Sequence, residues 1–239
     1  MSKQHYLSLV ALCATLFFTS CFRTVDSTDS RSHTTAQDAV FKFNSIDDLY
    51  KFLTYSDARV PLVSAHRGGP MPGYPENAIE TFANVAHKMP AIIECDIAMS
   101  KDSTLVLMHD EYLDRTSNGK GRVNSYTADD IKELRLKDND GKLTNFKIPT
   151  LEEALVWGVG KVIFTLDVKK NVPYRLVIDA VRKAGAEAYV IIITYSANQA
   201  AVVHNLAPDL MISASIKNID DLIRLNDHDV PDTRLVAFV

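Results

Sequence analysis

Apolar runs alternate with amphipathic segments from about residue 46 to the end of the chain. The amphipathic segments carry apolar residues at helical spacing, and Asn77 with Glu80 forms a predicted capping box for the first of them. Later helices are predicted to start near Pro149, Pro173, Asn198 and Ile219. The apolar runs between them are typical of strands in a parallel sheet that is covered on both faces or closed into a barrel. The six predicted strands are PLVSAH, AIIECDIAM, VIFTLDVK, YVIIITYS, LMISASI and RLVAFV.

One apolar run breaks this alternation. The run TLVLMHD, residues 104–110, follows the second predicted strand by only a handful of residues, whereas a parallel crossover needs about a dozen. We therefore expect this run to pair antiparallel or to leave the sheet. Turn signals continue from it to the next helix start, so residues 98–147 are predicted to be an insertion. It should lie beside the carboxyl-end rim of the sheet, where the active sites of such folds are found.

The first 21 residues are predicted to direct export rather than to belong to the fold. Lys3 precedes YLSLVALCATLFFTSC, an apolar run that is short for a membrane span but typical of a signal peptide. Its end, FTSC, resembles the lipobox of bacterial lipoproteins, with Phe18 in place of the usual leucine, and this resemblance implies acylation of Cys21. An ordinary secretory signal or a short anchor helix is the alternative, and both also imply export.

These patterns predict the organisation and the location of the chain. Residues 22–45 are rich in Ser, Thr and Asp and are predicted to be a flexible tether. Residues 46–97 and 148–239 are predicted to form the β/α barrel, interrupted by the insertion at 98–147. We expect an exported protein of the cell envelope, periplasmic or on the cell surface, held to a membrane through a lipid.

Composition narrows the choice of function. The 239 residues are 46% hydrophobic and carry a formal net charge of -4, which suits one globular domain with attachments. No basic stripe is present, so we expect no nucleic-acid partner. Of the three cysteines, Cys13 lies in the signal and Cys21 is the predicted lipidation site. Cys95 then has no disulfide partner and is predicted to be an inert core residue.

Three acidic residues near strand ends suggest a metal site. Glu94 and Asp96 are two apart on a strand, so both carboxylates project from one face. Such a pair repels by about a few kcal/mol at an intermediate dielectric, and a cation relieves that repulsion. Asp167 is a candidate third ligand, and an all-carboxylate set selects Mg²⁺ or Ca²⁺. Lys169 follows on the same face and suits an anionic substrate. The alternative is that these charges mark solvent-exposed strand ends.

Two of the seven histidines stand out by position. His66 and His109 each end an apolar strand and are each followed at once by a second polar residue, Arg67 or Asp110. Two histidines at strand ends suit a general acid and general base pair. Either histidine alone is more often a satisfied structural residue.

Several motifs in order along the chain resemble the glycerophosphodiester phosphodiesterase family. They run from His66 to about Lys169 and read HRGG, PEN, ECD, MHD with LDRTSNGKG, IPTLEEAL and DVK. The resemblance implies a TIM-type barrel with a small inserted domain after the second strand. It also implies hydrolysis of small glycerophosphodiesters to glycerol 3-phosphate and an alcohol, with one divalent cation at the carboxyl rim.

The resemblance also assigns roles to residues. It implies catalysis by His66 and His109, and cation binding by Glu94 and Asp96. Asp167 stands where the family usually has glutamate, and Ala78 replaces a usual threonine or serine. Further matches are Arg67 as the phosphate-contacting arginine, and Glu76 and Asn77 in the PEN motif.

The predicted reaction is metal-assisted phosphodiester cleavage, with one histidine taking a proton from the attacking hydroxyl or water and the other protonating the leaving alkoxide. The alternatives are a related phosphodiesterase acting on lysophospholipid or sphingolipid head groups, and a lipid-anchored binding protein without turnover.

Gly68 and Gly69 are expected to let the backbone turn sharply and approach a phosphate. Six predicted strands against the eight of a full barrel lead us to expect that carboxyl-terminal strands are missing from this chain.

Overall fold

A sheet of six parallel strands and one short antiparallel strand forms the centre of the fold. The computed structural model describes residues 40–58 and 61–238. The strands in this part of the chain are β1 (Val63–Ala65), β2 (Ala91–Met99), β3 (Leu105–Leu107), β4 (Arg135–Lys137), β5 (Leu143–Lys147), β6 (Ile163–Val168), β7 (Val190–Thr194), β8 (Met211–Ser215) and β9 (Leu235–Phe238). The main sheet has the order β1, β2, β6, β7, β8, β9, and every pair in that order is parallel. The six predicted parallel strands are confirmed, with bounds within two residues of those predicted.

The helices follow the strands in the alternation expected for a β/α barrel. They are α1 (Ile46–Leu53), α2 (Ile79–Ala86), α3 (Ala128–Glu133), α4 (Leu151–Gly158), α5 (Tyr174–Ala184), α6 (Ala197–Leu206) and α7 (Ile219–Asp227). Helices α4 to α7 pack against one another in chain order. The six strands form the curled parallel sheet of a TIM-type barrel, with β1 and β9 at the two edges of the described strands. No helix in the described ranges is long and apolar enough to cross a bilayer.

The strand β3 shares one edge of β2 with β1. β1 pairs with the first three residues of β2, whereas β3 pairs antiparallel with the last three, Ile97 to Met99. The other edge of β2 pairs with β6 from Ile92 to Ile97. The prediction that the run TLVLMHD pairs antiparallel or leaves the sheet is confirmed in its first form.

A small lobe lies between β2 and α4 along the chain. It contains β3, α3 and a separate antiparallel pair formed by β4 and β5. The lobe has its own apolar core, to which Ala98 at the end of β2 also belongs; the other members include Val106, Met108, Leu113, Val123, Ile131, Leu136 and Ile148. The boundaries predicted for the insertion fall at Ala98, inside β2, and at Lys147, the last residue of β5.

The segment before α1 belongs to the fold, which corrects the predicted extent of the tether. Phe41 is buried, and its backbone N–H donates a hydrogen bond of 3.0 Å to the carbonyl of Gly160. With Leu49 of α1 it packs on Ile163 and Met211, the first residues of β6 and β8. Residues 41–45 therefore help α1 to cover the amino ends of the strands. The predicted signal peptide, the lipidation site Cys21 and residues 22–39 of the predicted tether lie outside the described residues.

Candidate active site

Three carboxylates meet at the centre of the sheet because of strand periodicity and register. Glu94 and Asp96 project from one face of β2, while Ile93, Cys95 and Ile97 are fully buried on the other. On β6, Asp167 pairs directly with Asp96 across the ladder. One carboxylate oxygen from each of the three acids lies within 4.8 Å of the others.

Burial and mutual repulsion perturb this cluster. Burial, followed by the charges of Asp96 and Asp167, raises the pKa of Glu94 to about 7. The ammonium of Lys169 lies 2.6 Å from Asp96 Oδ1 and 2.8 Å from Asp167 Oδ2. The described ion pairs of Lys169 are therefore with two members of the acidic cluster, and its predicted contact with substrate phosphate stays a prediction. Burial raises the pKa of the Cys95 thiol well above its usual value, as expected for an inert core cysteine.

The chemistry of this cluster fits a hard divalent cation. Its donors are all carboxylate oxygens, the ligands that Mg²⁺ and Ca²⁺ prefer, and a positive group already lies among them. Although Asp167 is one methylene shorter than glutamate, it reaches the other two acids because its strand is the immediate neighbour of β2.

A short 3₁₀ helix after β1, His66–Gly68, delivers two of the predicted residues. The exposed His66 imidazole has Nε2 at 4.0 Å from Glu94 Oε2. The backbone N–H of Arg67 donates to the same oxygen at 2.6 Å. Arg67 has a φ of 52°, in the left-handed region, so its backbone amide is turned toward Glu94 by an uncommon conformation.

The paired glycines allow close packing on α2, and their predicted approach to a phosphate stays a prediction. Both have positive φ, 83° at Gly68 and 75° at Gly69. A Cβ at Gly68 would lie 2.2 Å from Cδ1 of Phe82, on α2, and a Cβ at Gly69 would lie 3.1 Å from Cγ2 of Val85 on the same helix. The missing side chains therefore let the 3₁₀ helix sit directly on α2.

The PEN residues are buried under the site. Glu76 is 4% exposed, and its carboxylate accepts hydrogen bonds from Nη1 of Arg67 at 3.1 and 3.3 Å. The amide of Asn77 holds Asp96 twice: Nδ2 donates to Oδ2 at 2.7 Å, and Oδ1 accepts from the Asp96 backbone N–H at 3.0 Å. The predicted capping box is wrong, because the Asn77 side chain is committed to Asp96. The N-cap of α2 is Ala78, which makes no side-chain hydrogen bond to the helix.

The loop after β3 carries His109 to the same rim. The backbone N–H of Met108 donates to the carbonyl of Asp96 at 3.0 Å, which sets the next residue beside the acidic cluster. Nδ1 of His109 lies 2.7 Å from Asp110 Oδ1. Arg115 binds both oxygens of Asp110, with Nε to Oδ2 at 2.7 Å and Nη2 to Oδ1 at 2.9 Å. Hydrogen bonding from Arg115 holds the pKa of Asp110 far below its usual range.

A cavity of about 510 Å³ joins these groups at the carboxyl ends of the strands. Five predicted site residues line it: His66, Glu94, Asp96, His109 and Asp167. Its other side comes from the ends of β7, β8 and β9, with Thr194, Tyr195, Ser213, Ser215 and Phe238 among its lining residues. Sequence reasoning did not single these out, although polar residues ending an apolar strand were the available signal. Lys169 lines an adjacent cavity of about 500 Å³ together with His109.

Several known proteins are similar to this chain in sequence, in fold or in both. A crystal structure of a glycerophosphoryl diester phosphodiesterase from Parabacteroides distasonis is 41% identical and matches 84% of this chain and 70% of its own, with a TM-score of 0.80. The glycerophosphodiester phosphodiesterase of Caldanaerobacter subterraneus is 33% identical over 158 residues. A structure of an Oleispira antarctica phosphodiesterase in complex with the product sn-glycerol-3-phosphate is 19% identical with a TM-score of 0.59, a likeness of fold.

The extent of these matches is partial. The alignment with the Caldanaerobacter protein covers 63% of this chain and 65% of the relative, so the chain spans less than two thirds of that relative's length. A match to the glycerophosphoryl diester phosphodiesterase family covers residues 66–222, from the first candidate histidine into α7. That range covers most of the chain, and it contains all the residues from His66 to Ser215 that line the cavity. The chain therefore belongs to the glycerophosphoryl diester phosphodiesterase family.

Proposed function

We propose that this chain hydrolyses glycerophosphodiesters to glycerol 3-phosphate and an alcohol. One observation carries the proposal: a single cavity brings together two histidines and three convergent carboxylates in a member of this family. A solved structural relative holds sn-glycerol-3-phosphate as its product, and this supports the same product here.

Glu94, Asp96 and Asp167 would hold a divalent cation, Mg²⁺ or Ca²⁺. When bound, such an ion neutralises charge on the phosphate and lowers the pKa of a coordinated hydroxyl. Asn77 fixes Asp96 through its amide, and the Arg67 backbone N–H fixes Glu94, so two of the three acids are oriented by hydrogen bonds before any ligand arrives.

His66 and His109 are the proposed acid and base. They reach the cavity from different elements, His66 from the end of β1 and His109 from the loop after β3, and the acidic cluster lines the same cavity. One accepts the proton of the attacking glycerol hydroxyl or water, and the other donates a proton to the leaving alkoxide. Placement on separate elements suits a reaction in which one proton is removed and another supplied.

Arg67 and Lys169 are the proposed contacts for the substrate phosphate. The Nε–H of Arg67 is buried without a hydrogen-bond partner among the described atoms and lies 3.6 Å from Asp96 Oδ2, so an acceptor oxygen placed there would satisfy it. Lys169 supplies a second positive charge beside the cluster. Together they would offset the charge of a bound phosphodiester.

We further propose that the protein is exported and held at the cell envelope by acylation of Cys21. The support is the FTSC end of the apolar amino-terminal run and the polar composition of the residues that follow. This anchor would place the active site near a membrane, where lipid-derived glycerophosphodiesters are released.

The test is a product assay on the full chain with glycerophosphocholine, glycerophosphoethanolamine, lysophosphatidylcholine and sphingomyelin. We expect metal-dependent release of glycerol 3-phosphate from the first two, loss of that release after exhaustive chelation, and recovery on addition of Mg²⁺ or Ca²⁺. Preferential turnover of a lysolipid or sphingolipid would show a related phosphodiesterase instead. Binding without turnover of any of the four would contradict the proposed hydrolysis.

A further inference from the structure

We propose that Asp110 and Arg115 are positioning residues for His109, which hold its imidazole with the proton on Nδ1 and leave Nε2 for the reaction. This inference rests on the proposed function of His109 as an acid or base. It concerns residues that lie in the small lobe and outside the acidic cluster.

A continuous chain of hydrogen bonds connects His109 to a buried carboxylate. Asp110 Oδ1 faces Nδ1 of His109 at 2.7 Å, and both oxygens of Asp110 are also bound by Arg115. The same guanidinium donates to Glu76 at 2.8 and 3.0 Å. Glu76 is itself fixed by Arg67, so Arg115 is anchored on a group that cannot swing into solvent.

The chemistry of this chain determines where the proton sits on the imidazole. An ionised carboxylate has no proton to donate, so the hydrogen of the His109–Asp110 contact belongs to Nδ1. Arg115 provides both the charge that keeps Asp110 ionised and the two-point contact that fixes its orientation. Nε2 of the neutral ring then carries the lone pair, available to accept a proton and later to return it.

Bridging two carboxylates requires the planar fork of arginine. Arg115 meets Asp110 with Nε and Nη2 and meets Glu76 with Nη1 and Nη2. A lysine offers one compact charge and cannot make both two-point contacts at once. Through the Arg115 side chain, the position of His109 in the small lobe is thereby fixed relative to the buried Glu76.

A nearby ion pair offers a matched control. Arg122 donates to Glu111 at 2.9 Å in the same lobe, and Arg122 has about the same side-chain exposure as Arg115, 52% against 48%. The described side-chain contacts of Arg122 are with Glu111 and with the ring of Tyr112. The pair lines the adjacent cavity with His109 but shares none of the hydrogen bonds among His109, Asp110 and Arg115, so breaking it leaves those bonds in place.

The experiment combines the tautomer of His109 with kinetics on the full chain. Histidine-selective ¹⁵N labelling reports which ring nitrogen carries the proton in alkaline buffer, where an unperturbed imidazole is neutral. The variants are Asp110→Ala and Arg115→Met, with Glu111→Ala and Arg122→Met as controls. Hydrolysis of glycerophosphocholine gives kcat and KM for each variant.

We expect wild-type His109 to carry its proton on Nδ1, and Asp110→Ala to shift it toward Nε2. We also expect kcat to fall by about 10- to 100-fold with KM within about twofold, as when the partner of an oriented histidine is removed. Arg115→Met should change both quantities in the same direction by a smaller amount, and the controls should match wild type.

Three results would overturn the proposal: a wild-type His109 protonated on Nε2, a tautomer that Asp110→Ala leaves unchanged, or equal kinetic losses in the control variants. If Arg115→Met does not fold, Asp110→Ala decides, because it leaves the contact between Arg115 and Glu76 in place. A wild-type chain without hydrolytic activity would refute the proposed function, and the tautomer comparison would then decide the positioning role by itself.

Discussion

Replacement of Gly68 by alanine tests how the 3₁₀ helix after β1 is held against α2. Two costs are expected. At a φ of 83° an alanine costs about 1–2 kcal/mol relative to glycine. The added Cβ would also lie 2.2 and 2.4 Å from two carbons of the Phe82 ring. That ring is fully buried, with its centroid 6.0 Å from those of Trp157 and Phe164, so relief requires a shift of the core, which typically costs about 1–3 kcal/mol.

The sum predicts that Gly68→Ala lowers the free energy of unfolding by about 3 kcal/mol, within a range of about 2–5 kcal/mol. At about 2–4 °C per kcal/mol for a domain of this size, Tm should fall by about 6–12 °C. Gly73→Ala is the matched control, because Gly73 has a similar φ of 80° but no atom within 4 Å of an added Cβ. It should show the backbone cost alone, about 1–2 kcal/mol.

Thermal and urea unfolding of the two variants, and of Gly68→Ala combined with Phe82→Ala, would measure these costs. Because removal of the ring also removes the clash, the double variant should be less destabilised than the sum of the single variants by about 1–3 kcal/mol. Equal stability of Gly68→Ala and Gly73→Ala, or strict additivity in the double variant, would refute the reasoning. Since His66 and Arg67 belong to the same 3₁₀ helix, kcat of Gly68→Ala should fall as well.

Three further predictions address the site and its location. His66→Ala and His109→Ala should each lower kcat by about a hundredfold or more, because each is a proposed acid or base. His87→Ala, at the exposed end of α2, should stay near wild type. Equal losses in all three variants would contradict an acid or base role for His66 and His109. Asp167→Asn should raise the Mg²⁺ concentration needed for half-maximal activity by about tenfold or more in a metal titration, and an unchanged titration would remove Asp167 from the ligand set. Cys21→Ser should yield a soluble exported form or unprocessed precursor on membrane fractionation, whereas normal processing with continued membrane attachment would contradict acylation.

Strand positions and the acidic pair were predictable from sequence because both follow from local periodicity. A strand alternates its faces with a period of two, so the separation of Glu94 and Asp96 from Cys95 required no tertiary knowledge. The antiparallel pairing of β3 was predictable because too few residues separate it from β2 for a crossover. The third acid required only that its strand lie next to β2, which β6 does.

Contacts between distant segments were not predictable in the same way. Asn77 has the residue type and spacing of a helix cap, but a φ of 59° and two hydrogen bonds to Asp96 commit it to the site instead. The contacts of Arg115 with Glu76 join residues 39 apart in sequence through an irregular loop, where no periodicity marks a face. The glycine pair showed that side chains were excluded but not what excluded them, because Phe82 lies on the following helix.

The pairing of β2 has a consequence for local unfolding. β2 is bonded along both edges and sits inside the main core, so its amides that are bonded to β1 and β6 should exchange with solvent only when the sheet opens. β3 adds only three paired residues at the same edge and leads into a lobe with a separate core. We therefore expect the two halves of the site to open to solvent with different free energies. Opening of the lobe alone would carry His109 away from the carboxylates and stop proton transfer while the barrel sheet stays folded.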